Sequence, residues 1–297
     1  MRRIHADLLL LLAAAIWGLA FVFQKSAMEH IGPNAFIAAR GLLAAFALLP
    51  FALVEARRAG GEPAPGLIRI AGAGGLIFFL GAVFQQVGLI TATVSNTGFL
   101  TGLYVIFTPF VVWGWKRRQP TPLIWLAVAL SFAGTWLLGG GTLAGFNGGD
   151  GIVAICAVFW ALHLVVVSAS ARFNRPVAFT ALQFAVVGTL GLIASLASET
   201  TTRAGLVAAA PAIAYVGVLS SALTFTLLAI AMKYAPTAEA AIIVSLESVF
   251  AAIAGAWVLG ERLSLIGIVG AGLILAAIIL VQLATSSERA PVNAQGF

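Results

Sequence analysis

The chain has 297 residues, 61% of them hydrophobic and only 9% charged, with a mean hydropathy of +1.07. A soluble globular domain carries about 25% charged residues, so this chain lacks the polar surface that would keep it dissolved in water. Its net charge of +6 and pI of about 10.2 do not point to nucleic acid, because the positives sit in short clusters between apolar runs rather than on an aromatic-interleaved basic stripe.

A helix that crosses a bilayer needs about 20 mostly apolar residues. Ten segments meet that requirement: Leu8–Phe23, Ala35–Val54, Leu67–Ile90, Ser95–Trp115 and Leu123–Leu138, then Ile152–Ala171, Val177–Leu196, Leu206–Met232, Ala238–Leu259 and Leu265–Ala284. Arg2 and Arg3 before an apolar run resemble a signal peptide, but nine further apolar segments make that run a retained first span. Turn residues join the spans, as in Gly32-Pro33-Asn34, Gly60-Gly61-Glu62-Pro63 and Asn174-Arg175-Pro176. The glycine-rich stretch from Gly139 to Gly149 lacks the Gly-Lys-Ser/Thr ending of a phosphate loop and reads as a linker. The tail, 286–297, is polar and expected to be disordered in the cytoplasm. Cys156 is the single cysteine, which excludes an internal disulfide and a cysteine metal cluster. Neither a metal nor a cofactor is expected.

A repeat runs through the chain at a constant offset of 143 residues (150 − 7 = 143). Asp7, Trp17, Pro33, Phe36, Gly74, Ala92, Leu103 and Phe107 map onto Asp150, Trp160, Pro176, Phe179, Gly217, Ala235, Leu246 and Phe250. The units are 1–143 and 144–285, with five spans each. Five is odd, so the second unit enters from the opposite face, and the pair is inverted about an axis in the membrane plane. The expected fold is an all-α integral membrane protein of ten transmembrane helices in two inverted five-helix repeats. Such repeats are a signature of secondary transporters, with the substrate site at their interface. With the N-terminus in the cytoplasm, twelve of the 16 Lys and Arg residues fall on that side and three (Lys25, Arg203, Arg262) outside. That bias places both termini in the cytoplasm, across a bacterial-type inner membrane.

The motifs sharpen this reading. The first half carries Gln85-Gln86-Val87-Gly88-Leu89, then Gly98-Phe99-Leu100-Thr101-Gly102-Leu103-Tyr104 and Pro109. The second carries Leu246-Glu247-Ser248-Val249 and Leu259-Gly260-Glu261. With Trp17 and Trp160 in the first and sixth spans, the chain resembles the EamA-type members of the drug/metabolite transporter superfamily over essentially its whole length. It departs from the family's ninth-span pattern at Ser248, where proline is usual. The resemblance implies a transporter of amino acids, nucleosides, drugs or other metabolites, and suggests the subgroup of bacterial amino-acid and metabolite exporters, which includes aromatic amino-acid exporters.

Several polar residues fall within apolar spans. Glu247 lies mid-span, where a charge costs roughly 2.5–3.5 kcal/mol. It is either a cavity group that binds an ammonium or titrates, or a protonated packing carboxyl. Tyr104 occupies the equivalent position in the first unit. Gln85 and Gln86 have no partners in lipid and serve either substrate or helix contacts, with Phe78 on the Gln85 face. Trp160 and His163 share a face three residues apart, offering an aromatic plate and a titratable imidazole. They read as cavity wall or as bundle packing, and Trp17 as the opposite wall. Phe99 belongs to an aromatic stripe beside the Gly98/Gly102 pair, whose glycines read as a packing device. Asn96 and Glu239 occupy equivalent positions and read as gate or helix-start residues. Lys25 and Arg40, near the outer side, are candidates for gating or for a substrate carboxylate; Arg40 can also snorkel or pair with Glu29. Asp7 and Asp150 read as helix-start caps.

The function expected is export of small amphipathic metabolites, amino acids first, by alternating access through a mostly apolar cavity. Multidrug efflux through the same cavity is the alternative. An intramembrane enzyme is disfavoured, since no Ser/His/Asp set, His-Glu-x-x-His motif or aspartate pair is present. A purely structural or sensory role has no signalling output to support it. The partners expected are a small-molecule substrate and the lipid bilayer, not nucleic acid, with the oligomeric state open.

Overall fold

The computed structural model describes residues 3–60, 65–117, 119–142, 146–262 and 264–287. Among them the regular structure is entirely helical. The first unit holds α1 (Arg3–Ala27), α2 (Pro33–Arg58), α3 (Pro65–Leu89), α4 (Val94–Gly102), α5 (Tyr104–Lys116) and α6 (Pro122–Leu138). The second holds α7 (Gly148–Ser170), α8 (Pro176–Ser198), α9 (Arg203–Ala214), α10 (Thr224–Ala231), α11 (Thr237–Val244), α12 (Glu247–Leu259) and α13 (Leu265–Ser287). Eight rods are long and apolar enough to cross a membrane, with α4–α5, α9–α10 and α11–α12 each counting as one. Two shorter apolar helices, Pro122–Leu138 and Leu265–Val281, accompany them. The helix of α13 continues to Ser287, and residues 288–297 of the expected tail lie outside the described residues.

Local chemistry explains the ends. Proline opens α2, α6 and α8, where its missing N–H would have had no helical partner anyway. Asn147 and Asp150 form a capping box on α7. Asp7 behaves differently from its equivalent. It sits one turn inside α1, paired to Arg3, and does not cap a helix start.

Equivalent helices break at equivalent places. Between α4 and α5 stands Leu103 (φ −60, ψ −15), and Leu246 (φ −59, ψ −15) directly precedes α12. The rods also end alike, at left-handed Arg117 (φ 52) and Gly260 (φ 69), a conformation that glycine adopts at no steric cost. Each break frees main-chain groups that lipid cannot satisfy. Beside the first break, the Ser248 hydroxyl donates to the Gly98 carbonyl at 2.8 Å and seats against Gly102. The residue that departs from the usual proline is therefore a hydrogen-bond donor between the halves. The Gly98/Gly102 pair is a packing surface, as expected.

The equivalent helices α2 and α8 run antiparallel and touch closely. A Cβ on Gly41 would lie 2.8 Å from the Gly188 nitrogen, and one on Gly191 2.7 Å from that of Ala38. α6 and α13 meet through Gly134 and Gly270 in the same manner. Close backbone approach supplies dispersion contact where lipid removes the hydrophobic driving force between helices.

A charged, aromatic cavity between the halves

The α9–α10 rod contains a π-helical stretch, Tyr215–Leu223, with no counterpart in α3. It carries Ser220 and Ser221 into the interior, both buried. The Ser220 carbonyl accepts the Trp17 indole N–H at 3.0 Å, and the Ser221 hydroxyl accepts Arg40 Nε at 3.0 Å. Extra main-chain turns of this kind recur at functional sites.

Trp17, Arg40 and Ser220 border a central cavity shared with Gln24, Gln85, Thr101, Tyr104, Trp160, His163, Phe225 and Glu247, which Ser221 reaches only through Arg40. About 60 Å³ is open to the centre of a water-sized molecule, room for roughly four waters. Its ionisable groups Arg40 and Glu247 come from opposite units. Arg40 is 3% exposed; besides Ser221, it donates to Gln24 Oε1 at 3.4 Å and its guanidinium carbon lies 5.5 Å from the Phe78 ring centre. Gln24 Oε1 also accepts from Gln86 Nε2. No carboxylate of the described residues ion-pairs with Arg40, and no cation with Glu247. The expectation that Arg40 snorkels or pairs with Glu29 fails, because the guanidinium turns inward onto α1 and the π stretch.

Three polar atoms bordering the cavity make no hydrogen bond of good geometry, Tyr104 Oη, Trp160 Nε1 and Glu247 Oε1, although Tyr104 lies beside Glu247 and Trp160 beside Cys156. Each costs about 1–3 kcal/mol if left dry. Two donors and a carboxyl oxygen therefore keep hydrogen-bonding capacity for a polar guest. The apolar wall is aromatic. Behind that wall Phe78 stands edge-on to Trp160 (4.9 Å), His163 (5.4 Å), Phe184 (4.9 Å) and Phe225 (5.0 Å), while Trp17 lies 4.8 Å from Phe225. His163 Nε2 is hydrogen-bonded to Gln183 Oε1 at 3.0 Å.

The bundle is tied differently at its two faces. At the Arg3 face, Arg3 Nε meets Asp7 Oδ1 at 2.8 Å and Arg3 Nη2 meets Glu239 Oε2 at 2.6 Å. At the opposite face the equivalent positions are Asn96 and Asp150, and there Asn96 Nδ2 donates to Asp150 Oδ1 at 3.0 Å. One face is held by an ionic triad, the other by an amide–carboxylate bond.

The model of the EamA-like transporter family matches residues 4–140 and again 147–283, one match per unit. The chain belongs to the EamA-like transporter family. Two relatives from Archaeoglobus fulgidus are each named an uncharacterized transporter. One is 32% identical over 287 residues, covering 95% of this chain and 87% of the relative. The other is 28% identical over 268 residues, covering 86% and 89%. A solved crystal structure, 18% identical, superposes with a TM-score of 0.75 over 98% of this chain and all of that one, showing a shared fold. This EamA-like chain is thus a multi-pass membrane transporter.

Of the residues singled out from the sequence, Trp17, Arg40, Gln85, Tyr104, Trp160, His163 and Glu247 border the cavity. Phe78 lies behind them, and Gln86 reaches it only through Gln24. Phe99 faces away, packed on Trp136 (6.1 Å), Phe146 (6.2 Å) and Gly139. Lys25 caps the end of α3, donating to the carbonyls of Leu89, Ile90 and Ala92 at 2.8, 2.9 and 3.0 Å. Gln24, Thr101, Ser220 and Phe225 escaped the sequence reading. A glutamine directly after the apolar first span was a visible signal; nothing marked Phe225 among 20 phenylalanines.

Proposed function

We propose that this EamA-like chain crosses a bacterial-type inner membrane ten times, with both termini in the cytoplasm, and exports small amphipathic zwitterions by alternating access. Amino acids with apolar or aromatic side chains are the substrates favoured. The observation that carries this reading is the presence of Arg40 and Glu247 at one cavity, neither paired with an opposite charge among the described residues.

Arg40, steadied by Ser221 and Gln24, takes the substrate carboxylate; a guanidinium offers forked N–H donors matched to that group. Glu247 takes the ammonium, with the Tyr104 hydroxyl beside it. The substrate side chain rests among Trp17, Trp160 and Phe225. Each unfavourable buried charge is thereby offset by its guest, and a molecule lacking either charge leaves one group unpaired. The cavity as it stands is too small for an amino acid, as expected of an occluded state. Alternate release of the Arg3–Asp7–Glu239 triad and the Asn96–Asp150 bond opens it to one side and then the other.

Counterflow in liposomes, with a panel of labelled amino acids and with or without a pH gradient, tests the proposal. Exchange of phenylalanine- or leucine-like substrates, reduced in Arg40→Gln, is the expected result. Movement of lipophilic cations with no amino-acid exchange would replace it with multidrug efflux.

A further inference from the structure

A second, larger cavity opens on the lipid-facing side of the bundle, between the second half of α2 and the first half of α8. It measures about 610 Å³, and Ala45, Ala52 and Ala56 of α2 with Ala178 and Ala181 of α8 form its bed. Exposed Phe46 and Leu53 also line it. The tight glycine contacts of this helix pair, Gly41, Gly188 and Gly191, all fall beyond its inner end. There the helices touch backbone to backbone, whereas the alanine faces leave a trough.

From Ala45 to Ala56 the helix rises about 16 Å at 1.5 Å per residue. The hydrocarbon core is about 30 Å thick, so the trough runs the depth of one leaflet. Its outer end is strongly basic. Arg175 lines it, with Nη2 on the Ala59 carbonyl at 3.2 Å. Arg57 and Arg58 end α2, Arg69 lies in the first turns of α3, and Arg172 precedes α8; all four are exposed. Two carboxylates occur in the same stretches of sequence, Glu55 and Glu62, and Glu55 is engaged by the amides of Val177 and Ala178.

We propose that this trough binds an anionic phospholipid, one acyl chain lying on the alanines and the phosphate meeting Arg175 and its neighbouring arginines. The basic mouth selects the charge and the leaflet-deep apolar bed selects the tail. Neither free phosphate nor a zwitterionic lipid satisfies both.

Thermal unfolding of the purified full chain in detergent, titrated with phosphatidylglycerol, phosphatidylcholine or inorganic phosphate, tests this. Phosphatidylglycerol alone is expected to raise the melting temperature. Ala52→Phe, which fills the trough, and Arg175→Gln should each weaken the response. The exposed double variant Arg57→Gln/Arg58→Gln, which leaves helix packing untouched, should weaken apparent affinity at least about fivefold, the loss expected for a surface charge. Equal shifts with phosphatidylcholine, an effect of phosphate alone, or a full response in the double variant would overturn the proposal. So would a dimer that Ala52→Phe dissociates, which would give the trough to a second copy.

Discussion

Glu55, in the last turn of α2, accepts the first free amides of α8, and Glu199, just past α8, accepts the first free amides of α2. The Glu55 oxygens lie 3.2 and 2.8 Å from the Val177 and Ala178 nitrogens, and those of Glu199 2.8 and 2.8 Å from Asn34 and Ala35. Each helix is thus capped by its antiparallel equivalent. A carboxylate there both fills orphan donors and meets the positive end of the helix dipole.

Replacing either glutamate by glutamine should lower stability by about 0.5–2 kcal/mol, the range for a lost N-cap. The sites are at opposite ends of the pair, so the double variant should show nearly the sum. Thermal unfolding of the three variants measures this. An effect at only one end would mean that the two caps do not contribute alike.

Gly188→Leu puts a side chain where even a Cβ would meet the Leu42 nitrogen at 2.7 Å. The helices would have to separate, beyond the 1–3 kcal/mol typical of overpacking. Loss of folded protein by size-exclusion chromatography is expected, whereas Gly272→Leu, with nothing within 4 Å of its Cβ position, should be tolerated.

Glu247→Gln, which keeps the shape and removes the charge, and Arg40→Gln, which keeps a shorter polar side chain without the charge, should leave the protein folded while impairing exchange. Arg40→Gln should chiefly raise KM for amino acids with a free carboxylate and spare their amides. Unchanged exchange of both substrate forms by both variants would remove the two residues from the mechanism.

The latches predict opposite responses. Arg3→Gln leaves Asp7 and Glu239 without their bridging cation, and Asn96→Asp sets a carboxylate against Asp150. With Ser220→Cys as reporter in a Cys156→Ser background, an impermeant maleimide should label Arg3→Gln faster from the Arg3 face. Asn96→Asp should label faster from the other face. Identical labelling of both variants from either side would contradict the gate assignment.

The repeat, the apolar rods and the turns at Pro33 and Pro176 were legible in the residues because each is a one-dimensional pattern: a constant offset, a run length, a local backbone preference. Glu247 and Tyr104 could be paired by the same offset. The direction a side chain takes from its helix is another matter. Lys25 turned to the end of α3, Phe99 to Trp136, and Asp7 to Arg3, because those neighbours come from distant segments or from how the helix itself is oriented against them. The π stretch that presents Ser220 and Ser221 has no counterpart in the equivalent helix and no pattern that announces it. Hydropathy says which segments leave water; only packing says which polar atoms inside them find each other, since in lipid each must obtain its partner from whatever helix lies alongside.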